Sequence, residues 1–264
     1  TVLVEDIQPG AGGSSLANLT NVNGTIFYTA DDGVTGVELW KTTGIAGGTV
    51  LVKDIRTGVT SSNPTNLTSA NGLLYFTVDD GVNGLELWKS DGTTAGTVLV
   101  KDIRSGAIGS ALYGLTAVGS TLFFTADDGT SGVELWKSDG TTGGTVRVKD
   151  IQSGAGGGTP VNLTNVNGTL FFKADNGSGT NAELWKSDGT DAGTVLVKDI
   201  QPGGGSGSAQ NFTAIGSTLF FTADDGSGVG HELWKSDGTN AGTVLVKNVT
   251  PGAAGVGPTK LTNV

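Results

Sequence analysis

One tripeptide, Glu-Leu-Trp, recurs five times along the chain at an almost constant interval. Neighbouring copies lie 48 or 49 residues apart, with their tryptophans at Trp40, Trp88, Trp136, Trp185 and Trp234. A fixed period of about 20–50 residues is typical of repeat architectures, in which each copy is one supersecondary unit. The sequence therefore predicts one repeat domain over residues 1–264. Its copies are residues 1–48, 49–96, 97–144, 145–193 and 194–242, followed by a partial copy at 243–264.

Each copy contains four short runs with the composition of β-strands. In the third copy they are Thr97–Ile103, Leu112–Val118, Thr121–Ala126 and Val133–Lys137, separated by Gly-, Asp- and Ser-rich turns. We name the strands of a repeat a (type Leu112–Val118), b (Thr121–Ala126), c (Val133–Lys137) and d (the TVLVKDI type). Four such strands without a helical period are typical of a propeller blade. The predicted fold is all-β, a β-propeller with blades of about 48 residues and five complete blades.

The two ends of the sequence do not complete a repeat. Thr1–Ile7 reads as a d strand and Thr259–Val264 as an a strand, and these would flank a sixth blade whose b and c strands are missing. The alternatives are a five-bladed ring with spare ends, part of a longer array, or a protomer whose end strands pair with a neighbour. Unpaired strand edges favour such pairing.

Bulk composition excludes several classes of function. The chain has no Cys, a net charge of −10 and a pI near 4.4. A disulfide framework, a thiol nucleophile and a thiolate metal site are therefore absent, and binding to nucleic acid or anionic lipid is disfavoured. No apolar run reaches the roughly 18 residues of a membrane span. We expect neither nucleic-acid binding nor membrane insertion.

The motif ELWKSDGT, followed by GTVLVKDI, resembles the ELWxxDGT repeat of large secreted bacterial proteins. The resemblance covers the whole chain, although copy one has Lys41-Thr42-Thr43-Gly44 in place of Lys-Ser-Asp-Gly. It implies a propeller in an extracellular or cell-surface protein, and it implies no reaction. The acidic, Gly/Thr/Asn-rich composition agrees with a bacterial extracellular location.

The loops between the copies differ in how much they vary. The a–b and c–d turns are nearly constant, whereas the d–a linkers and b–c loops vary and should lie together on the opposite face. That face is a candidate binding surface, because recognition residues are often carried by loops on a rigid scaffold. Alternatively, its sequence is simply unconstrained.

Two kinds of side chain are candidates for ligand binding. The five tryptophans named above would stack on sugar rings if exposed, as in a lectin with one site per blade, or would fill the core between blades if buried. His231 is the single histidine, in a b–c loop, without a recognisable nucleophile as partner. No residue set breaks the repeat in the way that catalysis needs, so we expect no enzyme.

The acidic b–c turns are candidate calcium sites, because carboxylate oxygens on a flexible loop suit that ion. Plain turn chemistry is the alternative reading, since Asp-Gly is a common tight-turn pair. The carboxylates concerned are Asp31, Asp32, Asp79, Asp80, Asp127, Asp128, Asp175, Asp224 and Asp225.

The charged residues of ELWK and VKDI lie on adjacent strands, which predicts cross-strand ion pairs. As a whole, the sequence favours a non-catalytic extracellular module with a structural or adhesive role, self-assembling through its end strands. Its expected partners are itself or neighbouring repeats of a longer chain. The alternative is a multivalent propeller that binds carbohydrate, for example a cell-surface polysaccharide, with calcium in the Asp-Asp-Gly loops.

Overall fold

The computed structural model describes residues 1–10, 12–45, 47–178, 182–203, 205–228, 230–248, 257 and 261–262. These residues form 20 strands, numbered here in chain order. None of the described residues belongs to a helix with the length and apolar character needed to cross a membrane.

The strands form five antiparallel sheets of four, each in simple sequential order, which we call blades 1 to 5. Blade 1 consists of β1 (Ala17–Val22), β2 (Thr25–Asp31), β3 (Val37–Thr42) and β4 (Val50–Lys53). Blade 2 consists of β5 (Thr65–Ala70), β6 (Leu73–Asp79), β7 (Leu85–Ser90) and β8 (Val98–Lys101). Blade 3 consists of β9 (Tyr113–Val118), β10 (Thr121–Asp127), β11 (Val133–Ser138) and β12 (Val146–Lys149). Blade 4 consists of β13 (Val161–Val166), β14 (Thr169–Asp175), β15 (Ala182–Ser187) and β16 (Val195–Lys198). Blade 5 consists of β17 (Gln210–Ile215), β18 (Thr218–Ala223), β19 (Glu232–Ser236) and β20 (Val244–Lys247).

The constant a–b turns are two-residue hairpins of the kind that the sequence predicts. Asn23 and Gly24 both have positive φ, 51° and 88°. Two consecutive left-handed residues match the twist of a β-hairpin, and Asn-Gly is the pair that adopts them at least cost. The strand order a–b–c–d within each blade follows from these short connections.

Asparagines in the a strands have a local structural role. Asn162 has a φ of 59° where the register of β13 against β14 shifts. The equivalent position in blade 3 is Gly114, with a φ of 72°. A left-handed residue at a bulge suits Asn or Gly, so the backbone explains the Asn of the repeated Asn-x-Thr pattern.

The d strands are shorter than predicted. The sequence predicts a d strand over Thr97–Ile103, but β8 ends at Lys101. The strand stops there because the backbone N–H of Ile103 donates to the Glu86 carboxylate and not to a neighbouring strand.

The predicted end strand Thr1–Ile7 is wrong: residues 1–6 have no regular secondary structure and are exposed. In blades 1 to 5 each d strand is paired with a c strand, and among the described residues no c strand is paired with residues 1–7. Most of the other predicted end strand, Thr259–Val264, lies outside the described residues.

The chain divides into two compact units, residues 1–122 with 138–145, and residues 123–137 with 146–264. In the first unit, Phe27, Leu39 and Val52 of blade 1 pack on Phe76 and Trp88 of blade 2. In the second unit, blade 4 packs on blade 5 in the same way. We call the side of a blade that meets the next blade its forward face, and the side that meets the preceding blade its backward face. Both faces of an inner strand are thus buried, which explains why the b strands do not alternate between apolar and polar residues.

Candidate functional site

The glutamates of the first four Glu-Leu-Trp copies are buried and bind the main chain of the following d–a linker. The Glu38 carboxylate accepts hydrogen bonds from the N–H of Ile55 at 3.0 Å and of Ser62 at 2.8 Å. Glu134 accepts from the N–H of Ile151 at 3.0 Å and of Gly158 at 2.7 Å. These carboxylates satisfy linker donors that would otherwise be buried without a partner, and they fix the path of the chain out of the blade.

Burial changes the protonation of these glutamates. It raises the pKa of Glu38, Glu86, Glu134 and Glu183 above the usual value of 4.5, against the opposing effect of the hydrogen bonds that they accept. A neighbouring aspartate adds to the rise, as Asp54 does for Glu38. The sequence analysis assigned these glutamates to cross-strand ion pairs, and the structure gives them this linker role instead.

The lysines that were assigned to the same ion pairs reach the next blade. Lys53 Nζ donates to the Thr97 carbonyl at 2.8 Å and lies 5.6 Å from the centre of the Trp88 ring. Lys101 donates to the Thr145 carbonyl at 2.8 Å. These side chains therefore connect consecutive d strands, which the prediction of ion pairs within one blade did not anticipate.

The five tryptophans lie in the core. Each is between 6% and 9% exposed. In blade 4, the Trp185 ring stacks on Phe172 with a centroid distance of 6.5 Å. Since a sugar needs an accessible ring face, this burial favours the core interpretation over stacking on sugar. The rings concerned are Trp40, Trp88, Trp136, Trp185 and Trp234.

The b–c turns hold themselves together through their aspartates. Asp32 Oδ1 accepts from the N–H groups of Val34 at 2.8 Å and Thr35 at 2.7 Å. In Asp128, burial disfavours the charge, but hydrogen bonds from Ser131 and Thr130 outweigh it and lower the pKa to about 2. Among the described residues, no group of three or more His, Cys, Asp or Glu side chains could hold a metal ion. Calcium at these turns stays a prediction.

The b–c loops and d–a linkers meet within a blade, as the sequence predicts. The Val37 N–H donates to Ser61 Oγ at 2.8 Å, and the Asn63 N–H donates to the Val37 carbonyl at 3.2 Å. In blade 5 the candidate His231 lies 3.3 Å from the side-chain amide of Gln210. An amide is a weak partner for a general base, and this contact identifies no nucleophile.

Two clefts lie on the opposite side of the blades, where the constant turns are. The first, of about 180 Å³, lies between blades 1 and 2, and Phe27, Lys41 and Asp91 are among its lining residues. The second, of about 160 Å³, lies between blades 4 and 5, and Phe171, Lys186 and Asp237 line it at the same repeat positions. We call each an inter-blade cleft. The sequence did not indicate these clefts, because their lining residues lie in turns that vary little between the copies.

Comparison with known proteins identifies the fold and no family. No protein-family model and no curated protein matches the sequence. A crystal structure of puromycin hydrolase matches with a TM-score of 0.56 and 14% identity, over 91% of this chain and 39% of that one. A prolyl endopeptidase matches with a TM-score of 0.55 and 11% identity, over 88% and 36% of the two chains. Oligopeptidase B from Leishmania major matches with a TM-score of 0.54 and 12% identity, over 92% of this chain and 35% of that one.

The chain thus spans 35–39% of the length of these three solved structures. Together with the five sequential four-stranded sheets, the similarity shows the predicted all-β fold of propeller blades. At these identities the likeness concerns the fold alone, and a fold does not determine an activity.

Proposed function

We propose that the chain is a non-catalytic extracellular repeat module with a structural or adhesive role, which self-assembles by packing the last blade of one copy on the first blade of another. The observation that carries this proposal is that blade 5 exposes apolar side chains whose counterparts in blade 4 are buried, and that an apolar groove remains at the margin of the corresponding face of blade 1. An outermost repeat of a soluble repeat protein normally carries a polar outer surface, and these positions are apolar.

The forward face of blade 5 is partly exposed, although Thr213 Oγ1 of this blade donates to the Leu261 carbonyl at 3.0 Å. Val246 is 44% exposed, whereas its counterpart Val197 in blade 4 is 6% exposed. Ile215 is 43% exposed, whereas its counterpart Val166 is 3% exposed. These residues occupy positions that in blade 4 contact the next blade, so they form half of a blade–blade interface.

The backward face of blade 1 is the matching surface, and its centre is already buried. Tyr28 is 3% and Trp40 is 9% exposed, and Ile7 packs against them, so a partner blade would cover the margin of this face. Val4 is 40% exposed, whereas its counterpart Val52 is 2% exposed. An apolar groove of about 160 Å³ remains beside this segment, lined by Val4, Glu5, Ile7, Leu16, Leu19, Ile26, Tyr28, Thr42 and Thr49. In the inner blades the neighbouring blade fills this position.

The natural occupant of each face is therefore another blade of the same repeat, and a second copy of this chain provides both halves. Such a contact is head-to-tail and joins unlike surfaces, so it produces closed rings of protomers or open filaments. Assembly through blade faces replaces the pairing of end strands that the sequence analysis expected.

The extracellular location and the non-catalytic role are further parts of this proposal. The ELWxxDGT-like motif and the acidic composition favour an extracellular or cell-surface setting. The solved structures matched are peptidases, but the chain spans only about two fifths of their length. The contact of His231 with an amide also supports a non-catalytic role.

The proposal is tested by mass as a function of concentration. We expect sedimentation equilibrium to show a mass that increases with concentration, and electron microscopy to show particles of several protomers. The Ile215→Lys/Val246→Lys variant should remain a single chain, because two buried ammonium groups would oppose the contact. Val82→Lys, at an exposed position in a b–c loop, is the control and should assemble normally. A wild-type mass equal to one chain at every concentration would contradict the proposal.

A further inference from the structure

We infer that the inter-blade clefts are saccharide sites, each taking one pyranose ring, on the side of the blades opposite to the variable loops. The inference goes beyond the proposed assembly and does not depend on it. It rests on the same cleft appearing in both compact units, on the chemistry of its lining, and on a natural substitution at its floor.

The first cleft is lined mainly by polar groups, with the edge of the buried Phe27 ring at its base. Phe27 is 3% exposed and lies against Gly92, where an added Cβ would be 3.2 Å from the end of the ring. Lys41 and Asp91 stand on the rim, together with Asn23 of the a–b turn. Only glycine permits this approach, because Gly92 also has a φ of 87°.

The second cleft repeats this arrangement in the other compact unit. A Cβ on Gly238 would be 3.1 Å from the end of the Phe171 ring, and Lys186 and Asp237 form the rim with Asn167. Its residues are direct repeat counterparts of those in the first cleft. The cleft is thus a property of the blade–blade junction and not of one irregular loop.

The rim groups are held in place for binding. Asp91 Oδ1 accepts from the Thr93 hydroxyl at 2.7 Å and from its N–H at 2.8 Å, and Asp237 does the same with Thr239. These hydrogen bonds, with the charge of Lys41 nearby, lower the pKa of Asp91 and keep it ionised. A fixed carboxylate, an ammonium group and an amide provide acceptors and donors on either side of an aromatic edge.

The polar groups match the hydroxyl groups of a sugar ring, which both donate and accept, whereas the buried phenylalanine edge limits the depth of the cleft and does not stack on the sugar. A volume of about 160–180 Å³ corresponds to roughly six water molecules. That space suits one ring of a polysaccharide at a time. Weak binding at several junctions would add up to useful retention on a polymer.

The junction between blades 2 and 3 carries a tyrosine where the first cleft has a phenylalanine, and it shows what that change does to the cleft. Between blades 2 and 3, Tyr75 occupies the position of Phe27, and its hydroxyl oxygen lies directly beside Gly140, the counterpart of Gly92. The hydroxyl therefore occupies part of the corresponding space. Tyr75 is 1% exposed and well packed, so the fold accepts tyrosine at this position. A Phe→Tyr change elsewhere should fill a cleft without unfolding the blade.

The experiment uses saturation-transfer NMR with the methyl glycosides of glucose, galactose, mannose and N-acetylglucosamine at millimolar concentration. We expect at least one glycoside to receive saturation from the wild-type chain. In the variant Phe27→Tyr/Phe123→Tyr/Phe171→Tyr the saturation-transfer signal of the glycoside should decrease at least five-fold. Phe123 is included because its ring lies beside Gly189 in the same way. Tyr75→Phe should increase it. Circular dichroism and thermal melting of each variant establish that it is folded.

Two results would overturn the inference. One is the absence of saturation for all four glycosides. The other is a signal that the triple variant, folded and melting like the wild type, leaves unchanged, which would place binding elsewhere, such as on the variable loops. Repeating the measurement on Ile215→Lys/Val246→Lys separates this inference from self-assembly, because that variant keeps both clefts and should bind the glycoside normally.

Discussion

Glu134 shows at the scale of one residue how the repeat is held together. Its buried carboxylate accepts from the N–H groups of Ile151, Gln152 and Gly158, at 3.0, 3.1 and 2.7 Å. These donors lie 17 to 24 residues further along the chain. One side chain therefore determines where the d strand ends and how the linker to the next blade begins.

Glu134→Ala should destabilise the protein by about 2–4 kcal/mol, because it leaves buried N–H groups without an acceptor. Urea unfolding followed by tryptophan fluorescence measures the change. Glu5→Ala is the matched control, since Glu5 is an exposed glutamate of the N-terminal segment and should change stability by less than about 0.5 kcal/mol. Equal effects of the two substitutions would contradict the linker role.

The sequence predicts some residue roles and not others. The burial of the tryptophans follows from their repeated position in a strand that has neighbours on both sides. The partner of Glu134 does not follow, because strand c and the linker are far apart in sequence and the contact depends on how the linker folds back. The ion pairs with lysine were a reasonable expectation from adjacent strands, but the lysines reach carbonyl groups of the following blade instead.

At the scale of an element, the c–d turns show the effect of losing one aspartate. In blade 2, Asp91 and Thr93 close the turn through the hydrogen bonds to Asp91 Oδ1. In blade 1 the same positions are Thr43 and Ile45, and Ile45 is exposed. The turn of blade 1 retains a hydrogen bond from the Gly44 N–H to Thr42 Oγ1 at 3.0 Å.

Thr43→Asp/Ile45→Thr should restore the turn and stabilise the protein by about 1 kcal/mol, the usual net value of such hydrogen bonds. The increase should appear in the urea midpoint of unfolding. The reverse exchange in blade 2, Asp91→Ala/Thr93→Ile, should lower the urea midpoint, because it removes the same hydrogen bonds. The prediction would be contradicted if Thr43→Asp/Ile45→Thr left the urea midpoint unchanged while the exchange in blade 2 lowered it. The two turns would then not be equivalent.

Strand type and order are the elements that the sequence predicts well, since hairpin turns and strand composition are local. The length of the d strands and the state of residues 1–7 are not local. The d strand stops where a distant carboxylate takes its N–H, and residues 1–7 lack the c strand with which the other d segments pair. The inter-blade clefts likewise combine an a–b turn with a c–d turn that lies 68 to 70 residues later in the sequence, at positions that vary little between the copies.

At the scale of the whole molecule, repetition places the same titrating groups in several blades, so their effects on stability add. Glu38, Glu86, Glu134 and Glu183 have a pKa raised by burial above 4.5. For such groups the folded state holds protons more tightly, so stability is complete below pH 4.5 and decreases as pH rises through the folded-state pKa. The turn aspartates act in the opposite direction, as Asp128 does with its pKa lowered from 3.8 to about 2. Their contribution is present above pH 3.8 and is lost as pH decreases.

Stability against urea should therefore be greatest near pH 4–4.5 and should decrease toward both pH 7 and pH 2. Net charge would produce a similar maximum, since the pI is near 4.4 and repulsion grows away from it. Salt separates the two causes, because about 0.5 M NaCl screens repulsion between surface charges but acts little on buried carboxylates. If the decrease in stability from pH 4.5 to 7 persists in salt, the buried glutamates are its cause. If the decrease disappears in salt, repulsion from the net charge is its cause. Stability that increases from pH 4.5 to 7 would contradict both, and would mean that hydrogen bonding to the linker outweighs burial at these glutamates.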